Sequence, residues 1–179
     1  FNDDADEITV ASGATLTTYA RTSVVAGDAA TYTCRVRDTL TDNFVSSNAV
    51  LAVANHAGIT VQPLGGAVYT GGSYTFSVTA SGGFTSLRYQ WRKNGADSAT
   101  ATLRTLALPS VATSDAATYS CRVRDGFTDN ILSSNAALSV SAHASITTQP
   151  AGGSAYVGTA YTFSVTATGG FTPVTYQWR

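Results

Sequence analysis

The densest group of possible metal ligands in the sequence is an acidic run near its beginning. Four carboxylates stand within five positions: Asp3, Asp4, Asp6 and Glu7. Carboxylate oxygens are the hard ligands that Ca²⁺ prefers, but the run lacks the alternating Asp-x-Asp-x-Asp-Gly spacing of a calcium loop. We therefore expect a solvated loop, with a calcium site and a contact with a basic surface as the alternatives.

The two histidines are the next residues that could carry chemistry. His56 and His143 are 87 positions apart, and similar short stretches surround both. Residues that far apart in successive repeats do not form a two-His metal site or a pair of catalytic bases. We expect each histidine to pack at a junction between domains.

Other catalytic patterns are missing from the sequence. No Ser or Thr stands in a nucleophile-elbow context with an identifiable His and acid, and no Gly-rich phosphate loop is present. Lys93 is the single lysine, which gives little support to Lys–Asn crosslinks. The sequence predicts no enzyme activity, no catalytic residue and no cofactor.

Composition narrows the possible partners. Charged residues make up 12% of the chain, about half the usual share, and the formal net charge is −1. That balance gives no electrostatic reason to bind nucleic acid. No apolar run approaches the roughly 20 residues that cross a bilayer, so we also expect no membrane insertion.

The elements that position these residues come in repeats with a period of 87 residues. Residues 28–53 match residues 115–140, and residues 59–92 match residues 146–179. Within the repeat, short stretches alternate between apolar and polar side chains and are bounded by Gly, Asn, Asp and Pro. This pattern predicts half-buried strands and a two-sheet sandwich. In one such strand, Tyr119, Cys121 and Val123 should face inward.

One pair of motifs resembles the immunoglobulin-like fold. "YQWRKNG" carries Trp91, and "DAATYSC" follows with Tyr119 two residues before Cys121. This spacing is typical of a core Trp on strand C and a tyrosine corner on strand F. The unit is similar to the I-set-like domains that occur in tandem arrays on bacterial surface proteins. The resemblance implies an all-β fold of tandem sandwiches.

The resemblance departs from the family at the framework disulfide. The strand B position that would hold the partner cysteine is Val78 in one unit and Val165 in the other. Each unit therefore has one cysteine, which we expect to be a buried apolar residue of low reactivity. A catalytic or crosslinking role is the alternative.

The repeat divides the chain into one complete and two partial domains. Residues 59–145 are a complete domain, residues 1–58 hold the D/E, F and G strands of another, and residues 146–179 hold strands A, B and C of a third. Neither partial domain can close a core alone. We expect the third to be completed by residues 1–58 of the next copy, in a continuous polypeptide or between strand-complemented subunits.

This arrangement predicts which residues meet between copies. The expected core contacts are Trp178, Tyr176, Val165, Phe163, Cys34 and Tyr32. Outward arginines on strands C and F are candidates for lateral contacts: Arg35, Arg37, Arg88, Arg92, Arg122 and Arg124.

These features together predict a structural repeat of an extracellular filament or stalk on a bacterial or archaeal cell. Its partners would be identical copies joined head to tail, since a contact that does not close on itself generates an open fibre. The alternative is a cell-surface adhesin repeat that binds a glycan or protein ligand.

Overall fold

The computed structural model describes residues 16–179, which fall into two compact units that divide between Asn55 and His56. We call residues 16–55 the leading segment. Within the second unit, residues 56–144 are the central domain and residues 145–179 the trailing segment.

The leading segment contains four short strands: β1 (Ala30–Tyr32), β2 (Arg35–Arg37), β3 (Asn43–Val45) and β4 (Ala49–Leu51). Antiparallel pairing joins β1 to β4 and β2 to β3. A single 3-10 turn, Ala26–Asp28, precedes β1, and the Tyr32 hydroxyl donates a 2.8 Å hydrogen bond to the Asp28 carbonyl. The segment thus contains the expected tyrosine corner and the two arms of one hairpin.

The central domain contains ten strands: β5 (Gly58–Val61), β6 (Gly66–Tyr69), β7 (Tyr74–Ser77), β8 (Thr79–Ser81), β9 (Arg88–Lys93), β10 (Ala96–Asp97), β11 (Thr105–Leu108), β12 (Ala117–Arg124), β13 (Asn130–Leu132) and β14 (Ala136–Ser141). One sheet has the order β10-β9-β12-β14-β6, with β13 also paired to β12. The facing layer consists of β5 paired with β8 and β11 paired with β7. All these pairs are antiparallel except β14 with β6, which is parallel.

The core of the central domain lies between these two layers. Phe76, Val78, Trp91, Cys121 and Val123 are fully or almost fully buried. The predicted inward alternation of β12 is confirmed by the burial of Cys121 and Val123, which stand two positions apart.

Ser120 on the same strand was expected to face outward, yet it is buried. Its strand lies between β9 and β14 in the middle of the sheet, and its cross-strand neighbour is the long side chain of Arg92. A small residue flanked in this way is covered even on the outer face.

The trailing segment forms two strands, β15 (Ser145–Thr148) and β16 (Thr166–Thr168), which pair antiparallel with the same kind of register shift as β5 and β8. The predicted strand C, near Tyr176 and Trp178, forms no ladder. A strand is defined by its hydrogen-bonded neighbours, and the counterpart of β12 that would pair with it belongs to the other half of the repeat. For the same reason, the predicted strand F of the leading segment is interrupted between β1 and β2, where β12 is continuous.

Candidate assembly surfaces

The trailing segment holds its aromatic residues in the arrangement of the central domain. The ring centroids of Phe163 and Trp178 are 6.1 Å apart at 42°, and those of Phe76 and Trp91 are 5.8 Å apart at 41°. The Tyr161 hydroxyl donates to the Ala151 carbonyl at 3.2 Å, as the hydroxyl of its counterpart in the central domain donates to Leu64 at 3.1 Å. Half of a sandwich core is therefore already formed.

What differs is exposure to solvent. Trp178 is 49% exposed, whereas Trp91 is 0% exposed. Phe163 and Tyr176 are also exposed, and Val165 is half-buried. The trailing segment therefore presents to solvent the aromatic face that the central domain encloses.

A groove of about 420 Å³ lies on this face of the trailing segment. Its walls include Ile146, Val165, Val174, Tyr176 and Trp178. In the central domain the corresponding side chains pack in one core with Cys121 and Val123 of β12, and Cys121 is the ladder partner of Trp91.

The leading segment exposes apolar residues whose repeat counterparts are buried in the central domain. Val36 is 62% exposed, whereas its repeat counterpart Val123 is 0% exposed, and Cys34 is exposed where Cys121 is buried. The local scaffold is nevertheless the same. The Cys34 N–H donates to the Ser46 hydroxyl at 2.9 Å, and the Cys121 N–H donates to its equivalent serine at 2.8 Å.

The two cysteines thus have opposite environments. Burial raises the pKa of the Cys121 thiol to about 11, so it stays protonated and unreactive at neutral pH. The predicted burial of Cys34 does not occur within this chain. Its contact with Trp178 of a neighbouring copy stays a prediction, as do the other expected core contacts between copies.

The arginines proposed for lateral contacts are not all free. Arg92 and Arg122 both bind the carboxylate of Asp97, through Nε at 2.9 Å and Nη1 at 3.2 Å. Asp97 lies on the short edge strand β10, so the pair of cations on β9 and β12 is neutralised in part by this anion. Lateral contacts of the arginines on this face stay a prediction. Arg88 and Arg124 remain exposed there, as do Arg35 and Arg37 on β2.

Each histidine makes a specific contact. His56 Nδ1 is 2.8 Å from a carboxylate oxygen of Asp129, and the other oxygen accepts the N–H of Ala57. The hydrogen bond with Asp129 raises the pKa of His56, and the Ala57 N–H is the main cause that lowers the pKa of Asp129. His143 instead stacks on the ring of Tyr69.

The sequence reasoning missed both acidic partners, Asp97 and Asp129. A signal for Asp129 was available, because "RDGFTDN" in the β12–β13 loop has the counterpart "RDTLTDN" in the leading segment. Asp125 in that loop accepts the N–H groups of Phe127 and Asp129 at 3.0 and 2.9 Å. A repeated loop with two structural aspartates indicates a shared conformation.

The acidic run Asp3, Asp4, Asp6 and Glu7 lies outside the described residues. Within residues 16–179, no three His, Cys, Asp or Glu side chains cluster as a metal ion would require. In the same range no helix has the length and apolar character of a membrane span.

Known proteins share this fold. Residues 58–125 match the family model described as "Immunoglobulin domain", and no curated protein matches the chain. The solved structure of titin domains I67–I69 is 17% identical with a TM-score of 0.54, covering 71% of this chain and 47% of that chain. The N-terminal four Ig domains of Dscam1 isoform 4.44 are 22% identical with a TM-score of 0.46, covering 65% of this chain and 28% of that chain.

Sidekick-1 immunoglobulin domains 1–5 are 21% identical with a TM-score of 0.46, covering 72% of this chain and 30% of that chain. The chain thus spans less than half of the length of each of these three structures. The titin likeness supports the fold alone. Residues 58–125 are therefore an immunoglobulin-like domain, and the fold class of the chain is the all-β immunoglobulin-like sandwich.

Proposed function

We propose that this chain is a structural, non-enzymatic repeat of an extracellular array of immunoglobulin-like domains joined head to tail. In the array, the trailing segment of one copy and the leading segment of the next copy complete one sandwich. The observation that carries the proposal is the exposed half-core of the trailing segment, which keeps the aromatic geometry of the closed central domain. The location on the surface of a bacterial or archaeal cell rests on the resemblance of the repeat to tandem surface domains.

The occupant of the groove is specified by the repeat. In the central domain β12 is the ladder partner of β9, with Val123 opposite Tyr89 and Cys121 opposite Trp91, and it adds Cys121 and Val123 to the core. The corresponding strand of the leading segment carries Val36 at the same repeat position. A second copy therefore supplies both the side chains and the backbone ladder that the trailing segment lacks.

Burial of these side chains provides the driving force for assembly. Fully burying one large apolar side chain contributes about 1.5–3 kcal/mol. Trp178, Phe163, Tyr176 and Val36 are about half exposed, so together they supply roughly 3–6 kcal/mol, before the loss of rotational freedom on association is subtracted. That gain is a large fraction of the stability of a small domain.

The same surfaces meet whether successive copies are joined by a peptide bond or associate as separate chains. The mass of natural assembled material under denaturing, reducing conditions separates these two forms. A species of 18.4 kDa indicates separate chains, and a species many times heavier indicates a continuous array.

Disulfide trapping tests the contact directly in the 179-residue chain. Val165 occupies the strand B position at which the family carries the partner of the strand F cysteine. A Val165→Cys variant should therefore form a disulfide between residue 165 of one copy and Cys34 of the next. Non-reducing electrophoresis should then show a ladder of dimers, trimers and longer species that collapses on reduction.

The chain offers a matched control for this experiment. Val78 and Cys121 are the equivalent pair within the central domain, and both are buried. A Val78→Cys variant should form its disulfide within one chain and give no ladder. A ladder that survives when Cys34 is also replaced by Ser, or no ladder from Val165→Cys at concentrations where light scattering detects association, would overturn the proposal.

A further inference from the structure

We call the short stretches around the two histidines, residues 54–58 and 141–145, the connectors. The connector around His143 is held by an aromatic cluster. Tyr69, the last residue of β6, stacks on His143 with ring centroids 4.2 Å apart at 18°. Its ring also contacts Phe171 of the trailing segment, at a centroid distance of 5.1 Å. A tyrosine of one domain thus touches both the connector and the turn that follows β16 in the next.

The backbone at this connector is equally close. The Ser141 hydroxyl donates to the Gly170 carbonyl at 2.7 Å, and the Gly170 N–H donates to the Ala142 carbonyl at 2.7 Å. A Cβ at Gly169 would lie 2.3 Å from the His143 carbonyl oxygen, so this position requires glycine. The connector is packed rather than a free tether.

The connector that precedes the central domain shows a different contact of its histidine. His56 Nδ1 is bound to Asp129, which lies in the β12–β13 loop of the domain that the connector leads into. The His56 side chain is otherwise 91% exposed. Each connector therefore shows one of two contacts for an equivalent histidine.

The counterparts of the missing contacts are exposed on the two partial segments. The repeat places Tyr156 where Tyr69 stands, and Tyr156 is 89% exposed. It places Asp42 where Asp129 stands. The Asp42 N–H is held by the Asp38 carboxylate at 2.8 Å, as the Asp129 N–H is held by its own loop aspartate at 2.9 Å.

We propose that each connector histidine belongs to a composite joint, in which its ring face stacks on a tyrosine of the preceding domain and its Nδ1 edge binds an aspartate of the following domain. Joining two copies then completes both joints. Asp42 of the second copy binds His143 of the first, and Tyr156 of the first copy stacks on His56 and packs against Phe84 of the second. This inference rests on the proposed function, and its partner is a second copy of this chain.

The two contacts of the histidine are compatible because they use different parts of the ring. Stacking occupies a face of the imidazole, whereas the hydrogen bond lies in the ring plane at a nitrogen. Protonation strengthens both, since a cation is attracted to the tyrosine face and to the carboxylate. Phe84 is available at the second copy, because it is only half-buried beside Phe127.

Two full-length variants restrict assembly to a single contact, so that the joint can be measured. The donor variant, Val36→Asp, places a charge on its leading segment and keeps an intact trailing segment. The acceptor variant, Phe163→Asp, does the reverse. Both positions are exposed in the chain, so each variant should fold as a monomer, and a mixture should form one 1:1 complex.

Calorimetric titration of the donor variant into the acceptor variant then measures the dissociation constant of their complex. Tyr156→Ala in the donor should raise the dissociation constant about 2- to 12-fold, which is the range for the loss of one aromatic pair. Asp42→Ala in the acceptor should raise the dissociation constant at least about 5-fold, because the substitution removes a charged hydrogen-bond acceptor. The controls are the same substitutions placed in the opposite partner, where the blocked segment makes no contact and the dissociation constant should not change.

The outcomes separate the two proposals. Failure of the unsubstituted donor and acceptor to associate would overturn the proposed function. Association in which Tyr156→Ala and Asp42→Ala both leave the dissociation constant within 2-fold would overturn the joint alone. Equal weakening by a substitution in either partner would also overturn it, since the effect would then not come from the predicted contact.

Discussion

Truncation of Val123 tests the central core against its exposed repeat counterpart. Val123 is fully buried on β12, and a Val123→Ala change removes two methyl groups from the core. Their transfer accounts for about 1.6 kcal/mol at about 0.8 kcal/mol per buried carbon. The unfilled space adds to this, so we expect a loss of about 2–3 kcal/mol in the free energy of unfolding. For a domain of this size, the melting temperature should fall by about 10–20 °C.

The same change at Val36 is the matched control. Val36 is 62% exposed and lies in the leading segment, so Val36→Ala should change the unfolding of the central domain by less than about 0.5 kcal/mol. The assay is urea unfolding followed by tryptophan fluorescence in a Trp178→Phe background, which leaves Trp91 as the single reporter. The protein is kept dilute so that it stays monomeric during the measurement.

Two results would refute the reasoning. A loss below about 0.5 kcal/mol for Val123→Ala would mean that β12 does not close the core as described. A shift of the Trp91 transition by Val36→Ala comparable to that of Val123→Ala would mean that Val36 already contributes to the core of the central domain.

Three further predictions use the contacts described above. Ser133→Ala should destabilise the central domain by about 1–3 kcal/mol in urea unfolding, because it leaves the buried Cys121 N–H without an acceptor, whereas Ser46→Ala should have little effect in the dispersed chain. A backbone N–H lowers the pKa of Asp115, so stability should fall as pH drops below the ordinary value of 3.8, and Asp115→Asn should lose less over that range in thermal melts. A thiol reagent should label Cys34 at once and Cys121 only at the rate of unfolding, and assembly should protect Cys34; rapid labelling of Cys121 would contradict its burial.

The sequence predicted those features that repeat or alternate. The inward direction of Tyr119, Cys121 and Val123 followed from period-two alternation, and all three are buried. The tyrosine corner followed from the spacing of Tyr119 and Cys121, and the Tyr119 hydroxyl donates to the Asp115 carbonyl at 3.0 Å. These features depend on local sequence, which is why pattern and spacing were sufficient.

Other features depend on what lies opposite in space. The link from Arg92 and Arg122 to Asp97 joins three strands, and no spacing in the sequence indicates which carboxylate two arginines share. The ladder expected at Trp178 failed to form for a related reason, because hydrogen bonds between strands require a neighbour and not only a suitable sequence. Sequence patterns therefore do not predict which side chains form ion pairs or which strands become neighbours.

The parallel pairing of β6 with β14 determines how the central domain would carry a pulling force. These strands stand near the two ends of the domain and pair in register from Leu138 with Gly66 to Ser141 with Tyr69. A force that draws the ends of the domain apart would pull β6 and β14 in opposite directions along their own axes. The hydrogen bonds between the two strands would then be loaded together in shear and would not open one by one. The last residue pair of this ladder, Ser141 with Tyr69, adjoins the connector, since Tyr69 stacks on His143 and the Ser141 hydroxyl binds Gly170. Tension entering at the connector is thus delivered to the shear-loaded ladder before it reaches the core.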